Sequence, residues 1–138
     1  MNKIVPVVVL MLIVAGLIWV FLNRSRVRPN PDIVEFNRDA DRLIQGLQQY
    51  KEFFKKYPTG TSAEISKALS GQGEGKVIIY ATDGANKNDK GEIVDRWGTA
   101  IQFYFSHNAV LIRSAGPNRV WEDSRLPGSD DFYRTDTK

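Results

Sequence analysis

The chain has 138 residues, enough for one compact domain but not for two once an apolar N-terminal segment is set aside. It has no cysteine, which excludes a disulfide framework, and its formal net charge is +3. Four of its 19 basic residues and none of its 16 acidic residues precede Pro29, so the rest of the chain carries 15 basic and 16 acidic side chains. This near-neutral balance, without a basic stripe, argues against nucleic acid as a partner.

Residues 4–22 predict a membrane anchor. They include no charged side chain, and as a helix they would extend over roughly 28 Å, the thickness of a hydrocarbon core. Pro6 in the first turn and Trp19 near the far end fit such a helix. A cleaved signal peptide is the alternative, but no small-x-small site follows, so we expect the segment to stay attached. Residues 1–28 then form the anchor, with a basic flank for lipid headgroups, and 29–138 form a globular domain.

A second, amphipathic helix is predicted from Pro31 to about Lys56. Asn30 and Pro31 form a typical helix start, and the Tyr-Pro-Thr-Gly sequence at 57–60 forms a stop. Apolar residues recur every three or four positions and form one stripe: Phe36, Ala40, Leu43, Leu47, Tyr50, Phe54 and Tyr57. We expect this stripe to be buried against a core.

Short elements and polar loops occupy the rest of the chain. Thr61 and Glu64 form the capping-box pattern T-x-x-E and predict a short helix. Residues 77–82 are β-branched and aromatic and predict a strand, whereas 100–105 and 109–114 predict an antiparallel hairpin. The order predicts an α+β fold in which the long helix packs on a small antiparallel sheet.

These elements, with the motifs between them, resemble the major pseudopilins of type II secretion and their prepilin-like relatives. The similarity lies in the apolar segment continued by an amphipathic helix, in Asp95-Arg96-Trp97-Gly98 before the hairpin, and in 114–118 (Ser-Ala-Gly-Pro-Asn) and 128–132 (Gly-Ser-Asp-Asp-Phe) after it. The prepilin peptidase motif of that family is not found ahead of the apolar segment. The resemblance implies a pilin-like fold and a structural role in a type II secretion or type IV pilus-like assembly, with pilin-like subunits or secretion proteins as partners.

The resemblance also implies a location. It places the protein in the inner membrane as a single-pass protein with its domain in the periplasm. Three arginines after the apolar segment and one lysine before it favour the opposite orientation by the positive-inside rule. We expect the extracytoplasmic orientation.

The polar loop after the hairpin resembles the calcium-binding loop of those pseudopilins. Ca²⁺ takes six to eight oxygen ligands, and carboxylates, an amide and backbone carbonyls can supply them. The implied ligands are the side chains of Asn118, Asp130 and Asp131 and carbonyls near Ser114 and Val120. The alternative is an acidic loop without metal, neutralised by nearby arginines. The candidates for that role are Arg119, Arg125 and Arg134.

Trp121 belongs to the same loop and is either a lid over it or an exposed contact for a partner. The second possibility supports an alternative function, a tethered extracytoplasmic module that captures a protein or glycan with or without calcium. Catalysis has little support, because the lone His107 falls in a hairpin turn and no nucleophile elbow or phosphate-binding glycine pattern occurs. We therefore expect no enzyme activity and no small-molecule substrate.

Overall fold

The computed structural model describes residues 4–22, 30–79, 86–123 and 127–137. Within these ranges the fold is α+β, with three α-helices, one 3-10 turn and one three-stranded sheet. The elements are α1 (Ile4–Leu22), α2 (Pro31–Phe54), α3 (Ser62–Leu69), the 3-10 turn (Glu74–Lys76), β1 (Gln102–Phe105), β2 (Val110–Ser114) and β3 (Phe132–Thr135). The predicted order of long helix, short helix and antiparallel hairpin is confirmed.

Helix α1 covers the apolar segment of the sequence. Its side chains are described at Val9 and at 11–20, and all of these are exposed. Among the helix residues whose side chains are described, no helix is long and apolar enough to cross a membrane.

Helix α2 begins and ends where its local sequence predicts. Asn30 Oδ1 accepts a 2.9 Å hydrogen bond from the backbone N–H of Asp32, and Pro31 occupies the first turn, where no intrahelical donor is needed. Lys55 ends the helix in a left-handed conformation with φ of 59°. The buried face contains five residues of the predicted stripe and two others: Phe36, Ala40, Leu43, Ile44, Gly46, Leu47 and Tyr50.

Helix α3 has the predicted capping box. The backbone N–H of Glu64 donates to Thr61 Oγ1 at 3.3 Å, and Glu64 Oε2 accepts from the backbone N–H of Thr61 at 2.7 Å. Ile65 and Leu69 are buried and extend the core that α2 begins. The local cap thus sets the start of the helix, and its apolar residues join it to the rest of the domain.

The sheet has the order β1-β2-β3, with both pairs antiparallel. Ile112, on the central strand, pairs with Phe103 on β1 and with Arg134 on β3. The β3 strand adds a third strand to the predicted hairpin, and the ring of Phe132 packs against Phe36 of α2 at a centroid distance of 5.6 Å. The helix stripe and the inner face of the sheet therefore share one core.

The predicted strand at 77–82 is wrong in the part that the structure describes. Ile78 makes one isolated bridge with Ser70, and Ile79 donates to the Leu69 carbonyl at the end of α3. These backbone groups therefore pair with the helix terminus instead of a neighbouring strand. Residues 80–82 of the prediction lie outside the described ranges.

Candidate cation site

Three carboxylates converge in the loop between β2 and β3. One oxygen from each of Glu122, Asp130 and Asp131 lies within 4.8 Å of the other two. Antiparallel pairing of Ser114 with Phe132 brings the two ends of this loop together, so residues far apart in sequence share one site. Asp130 and Asp131 belong to the predicted ligand set, whereas Glu122 does not.

The cluster includes buried oxygens without hydrogen-bond partners. Among the described residues, Ser129 Oγ, Asp130 Oδ1 and Asp131 Oδ1 are buried and unpartnered. The Asp131 side chain is 0% exposed. Because a buried carboxylate oxygen without a partner loses its hydration and gains nothing in return, the arrangement is unfavourable unless a cation or a donor meets these atoms. Carboxylate oxygens are ligands that hard divalent cations prefer, so the two aspartates fit such an ion.

The remaining oxygens of the three acids hold the loop in shape. Asp130 Oδ2 accepts from the backbone N–H of Asn118 at 3.1 Å, and Glu122 Oε2 accepts from the backbone N–H of Asp130 at 3.1 Å. Asp131 Oδ2 accepts from Arg113 Nε at 2.7 Å. Both aspartates thus have one oxygen bound within the loop, while the other faces no described donor.

Arg113 on β2 is the basic residue that braces this loop. Its guanidinium forms an ion pair with Asp131 and donates to the backbone carbonyl of Glu122. It also lies 5.0 Å from the ring centroid of Trp121 and 5.3 Å from that of Tyr133. Burial lowers the pKa of Arg113, but hydrogen bonds to Asp131 and Tyr104 and the Asp131 charge outweigh burial, and the pKa is raised overall.

Two of the three arginines predicted to neutralise the loop lie within the described residues, and neither forms an ion pair with the aspartates there. Arg134 makes a bidentate pair with Asp41 on α2, at 2.6 and 2.8 Å, so it links β3 to the helix. Arg119 is exposed with a φ of 62°, and Arg125 lies outside the described residues. The expectation that one of these pairs with the aspartates is therefore wrong for Arg134, and Arg113 has that role.

The other predicted ligands border the cluster. Asn118 Oδ1 accepts from the backbone N–H of Val120 at 2.7 Å and closes a turn. Ser114 is buried, with its hydroxyl bonded to Asp95, and Val120 is exposed. The proposed ligand roles of the Ser114 and Val120 carbonyls stay predictions.

Gly116 permits the loop to approach the cluster closely. Its φ is 68°, and a Cβ atom at this position would collide with the backbone carbonyl of Asp130. Only glycine meets both conditions without strain. The Ser-x-Gly motif therefore has a direct structural connection to the acidic residues.

Trp121 connects the loop to a surface groove. Its side chain is half-buried, so it is neither a fully buried lid nor a fully exposed contact for a partner. The groove has a volume of about 440 Å³. It is lined by Gly60, Ser62, Ile65, Glu92, Ala100, Ile101, Gln102, Phe103, Tyr104 and Trp121.

Fold and site define an α+β domain with an arginine-braced acidic loop. No protein-family model matches this chain, and neither a curated protein nor a solved structure matches it. The resemblance to pseudopilins therefore stays a prediction from the sequence motifs.

Proposed function

We propose that the chain is a membrane-anchored structural protein of a pseudopilin-like assembly, and that a divalent cation, Ca²⁺, stabilises its C-terminal loop. The observation that carries the proposal is the pair of buried oxygens, Asp130 Oδ1 and Asp131 Oδ1, that face no described hydrogen-bond donor within a cluster of three carboxylates. A bound cation would satisfy both and would fix the loop to the end of the sheet.

The charge of the cluster also suits a divalent ion. Glu122, Asp130 and Asp131 carry three negative charges, and the adjacent Arg113 offsets one of them. Among the described residues of the loop, the remaining two charges balance one Ca²⁺, which would be held by these carboxylates. Millimolar calcium outside the cytoplasm would load even a weak site of this kind, in agreement with the proposed periplasmic location.

The proposed membrane anchor is α1. Its 19 residues include no charge, and its described side chains are exposed, with Leu12 at 68% and Trp19 at 65%. A continuous exposed apolar surface of this kind requires lipid or protein to cover it. Arginines at 24, 26 and 28 follow the helix and suit lipid headgroups at the inner membrane.

The outer surface of α2 supports assembly with other subunits. Ile33, Val34 and Phe53 are large apolar residues of this helix that stay exposed beside its polar face. Arg96 neutralises the acids near the helix start by pairing with Asp32 at 2.6 Å and with Glu35 at 2.8 Å. The first turns of α2 thus present apolar side chains with little net charge, which suits contact with neighbouring helices.

A thermal melt of the full chain in detergent micelles tests the cation site. A ligand at one hundred times its Kd raises stability by about 2.7 kcal/mol, so Ca²⁺ should raise the melting temperature above that in chelator. Asp130→Asn should abolish this shift. The matched control is Asp89→Asn, an exposed acid outside the cluster, which should retain it. A parent protein that melts at the same temperature with and without Ca²⁺ would contradict the cation proposal.

Cysteine crosslinking in cells tests assembly, since the chain has no cysteine of its own. Val34→Cys and Phe53→Cys should give disulfide-linked dimers in the membrane fraction. His107→Cys, at the exposed hairpin turn, is the control and should stay monomeric. Monomers throughout would contradict an assembly through α2.

The second candidate function is a tethered binding module. The specific observation in its favour is the groove beside Trp121, which combines aromatic walls with polar groups. In that function the domain would bind a partner without entering a filament.

A further inference from the structure

Strand β1 lies at an edge of the described sheet, and its hydrogen-bonding register shows which of its backbone groups face away from β2. Ser106 N donates to the Ala109 carbonyl at 2.9 Å, which closes the hairpin. Because bonded and non-bonded pairs alternate in an antiparallel ladder, Gln102 and Tyr104 bond to β2, whereas Phe103 and Phe105 direct their backbone groups away from it.

The residue before the strand confirms this alternation. Ile101 N donates to the Ile93 carbonyl at 2.9 Å, on the side away from β2. The edge is therefore paired at Ile101 and, among the described residues, has no backbone partner at Phe103 and Phe105. The strand sequence Gln-Phe-Tyr-Phe includes neither a charge nor a proline, the usual protection of an open edge.

The groove described above includes the part of this edge from Gln102 to Tyr104. It places Phe103, Tyr104 and Trp121 with the carboxylate of Glu92, the only charged side chain among its described lining residues. Arg113 already lies over the Trp121 ring and is neutralised by Asp131, so Glu92 is the charge that a partner would meet in this groove. A carboxylate attracts an ammonium or guanidinium group. An acidic segment would be repelled by Glu92.

We propose that this groove binds an extended basic segment of a protein partner, which adds to β1 as a fourth strand and places a Lys or Arg side chain beside Glu92. The proposal deepens the binding-module candidate and rests on it. Main-chain hydrogen bonds to Phe103 and Phe105 would supply affinity, and Glu92 would supply the preference for a basic residue. With four residues in β1, the segment that pairs is short.

Fluorescence anisotropy with the full chain in micelles tests the proposal. The probe is a fluorescein-labelled Val-Lys-Val-Lys-Val peptide with blocked termini. Its matched comparators are Val-Glu-Val-Glu-Val and a lysine peptide N-methylated at every residue, which can donate no main-chain hydrogen bond to β1. We expect the lysine peptide to bind at least roughly fivefold more tightly than either comparator, the equivalent of ~1 kcal/mol.

Variants locate the contact. Glu92→Gln should lower the affinity for the lysine peptide by roughly fivefold, because one partly screened ion pair is lost. Glu52→Gln, which replaces an exposed acid on α2, should not change this affinity. The lysine peptide should also slow amide hydrogen exchange at Phe103 and Phe105. Equal binding of the N-methylated or glutamate peptide, or no binding of the lysine peptide at millimolar concentration, would overturn the proposal. The calcium-dependent melt does not involve Glu92, so it tests the cation site separately.

Discussion

Ser114 Oγ donates a 2.7 Å hydrogen bond to Asp95 Oδ2, and both side chains are buried. The other Asp95 oxygen accepts from the backbone N–H groups of Trp97 and Thr99, at 3.0 and 2.9 Å. Ser114 Oγ in turn accepts from the backbone N–H of Gly116 at 3.1 Å. One buried bond thus joins the turn that enters the hairpin to the loop that leaves it.

Ser114→Ala should destabilise the domain by roughly 1–3 kcal/mol, because it leaves an oxygen of the buried Asp95 carboxylate without a donor. Chemical denaturation of the full chain in micelles measures this loss. Ser106→Ala, at the exposed hairpin turn, is the comparison and should have a smaller effect. Equal effects would mean that solvent replaces the Ser114 hydroxyl.

Leu47→Asp should unfold the domain. Leu47 is fully buried in the middle of the α2 stripe, and an unpaired buried carboxylate costs several kcal/mol out of a total stability of about 5–15. Gln49→Asp places the same residue on the exposed face of the same helix and should melt close to the parent. Thermal melts of both variants distinguish a core face from a subunit interface.

Gly116→Ala should weaken both the domain and its response to calcium. Alanine at a φ of 68° costs roughly 1–2 kcal/mol, and its Cβ would also displace the Asp130 carbonyl. Gly98→Ala is the matched control, since Gly98 has a φ of 88° but no atom within 4 Å of an added Cβ. The calcium-induced melt shift should shrink in the first variant and persist in the second, and equal shifts would argue against coupling between Gly116 and the cluster.

Asp131→Asn should lower the melting temperature even in chelator, because Arg113 loses its charged partner. The corresponding loss in the free energy of unfolding is roughly 1–3 kcal/mol. Asp130→Asn should have a smaller effect in chelator, since no described arginine pairs with Asp130 and the amide oxygen can still accept from the backbone N–H of Asn118. Melts of the two variants, with and without Ca²⁺, distinguish the stabilisation by the Arg113–Asp131 ion pair from the stabilisation by a bound cation. Identical behaviour in chelator would contradict the role of Arg113.

The capping box of α3 should contribute a pH-dependent part of the stability. The backbone N–H of Thr61, and then its hydroxyl, lower the pKa of Glu64 below its ordinary value. A lowered folded-state pKa means that the contribution is present above the unfolded-state pKa of about 4.3 and is lost as the pH falls through the folded value. In melts recorded from pH 6 to 3, the melting temperature of Glu64→Gln should therefore fall less steeply below about pH 4 than that of the parent protein. Glu52→Gln should show the same fall as the parent.

The elements that depend on neighbouring residues could be predicted from the amino-acid sequence alone. The Asn30 cap, the α2 stripe and the Thr61–Glu64 box each act within one or two helical turns, so residue type and spacing were sufficient to predict them. The hairpin of β1 and β2 followed in the same way from alternation and a short turn. The motif predicted Asp130 and Asp131 as ligands, which stays a prediction, but it did not indicate that Glu122 and Arg113 lie beside them.

The contacts between residues distant in sequence depend on strand pairing and core packing, which local patterns do not indicate. Strand β3 has four residues with weak alternation, and it becomes a strand because pairing with β2 and the packing of Phe132 on Phe36 stabilise it. The same pairing places Arg113 opposite Tyr133 and next to Asp131, although Arg134 is nearer to Asp131 in sequence and pairs with Asp41 instead. Glu122 joins the aspartates only when the loop folds back, because carboxylates that are separated along an irregular chain have no spacing rule that brings them together.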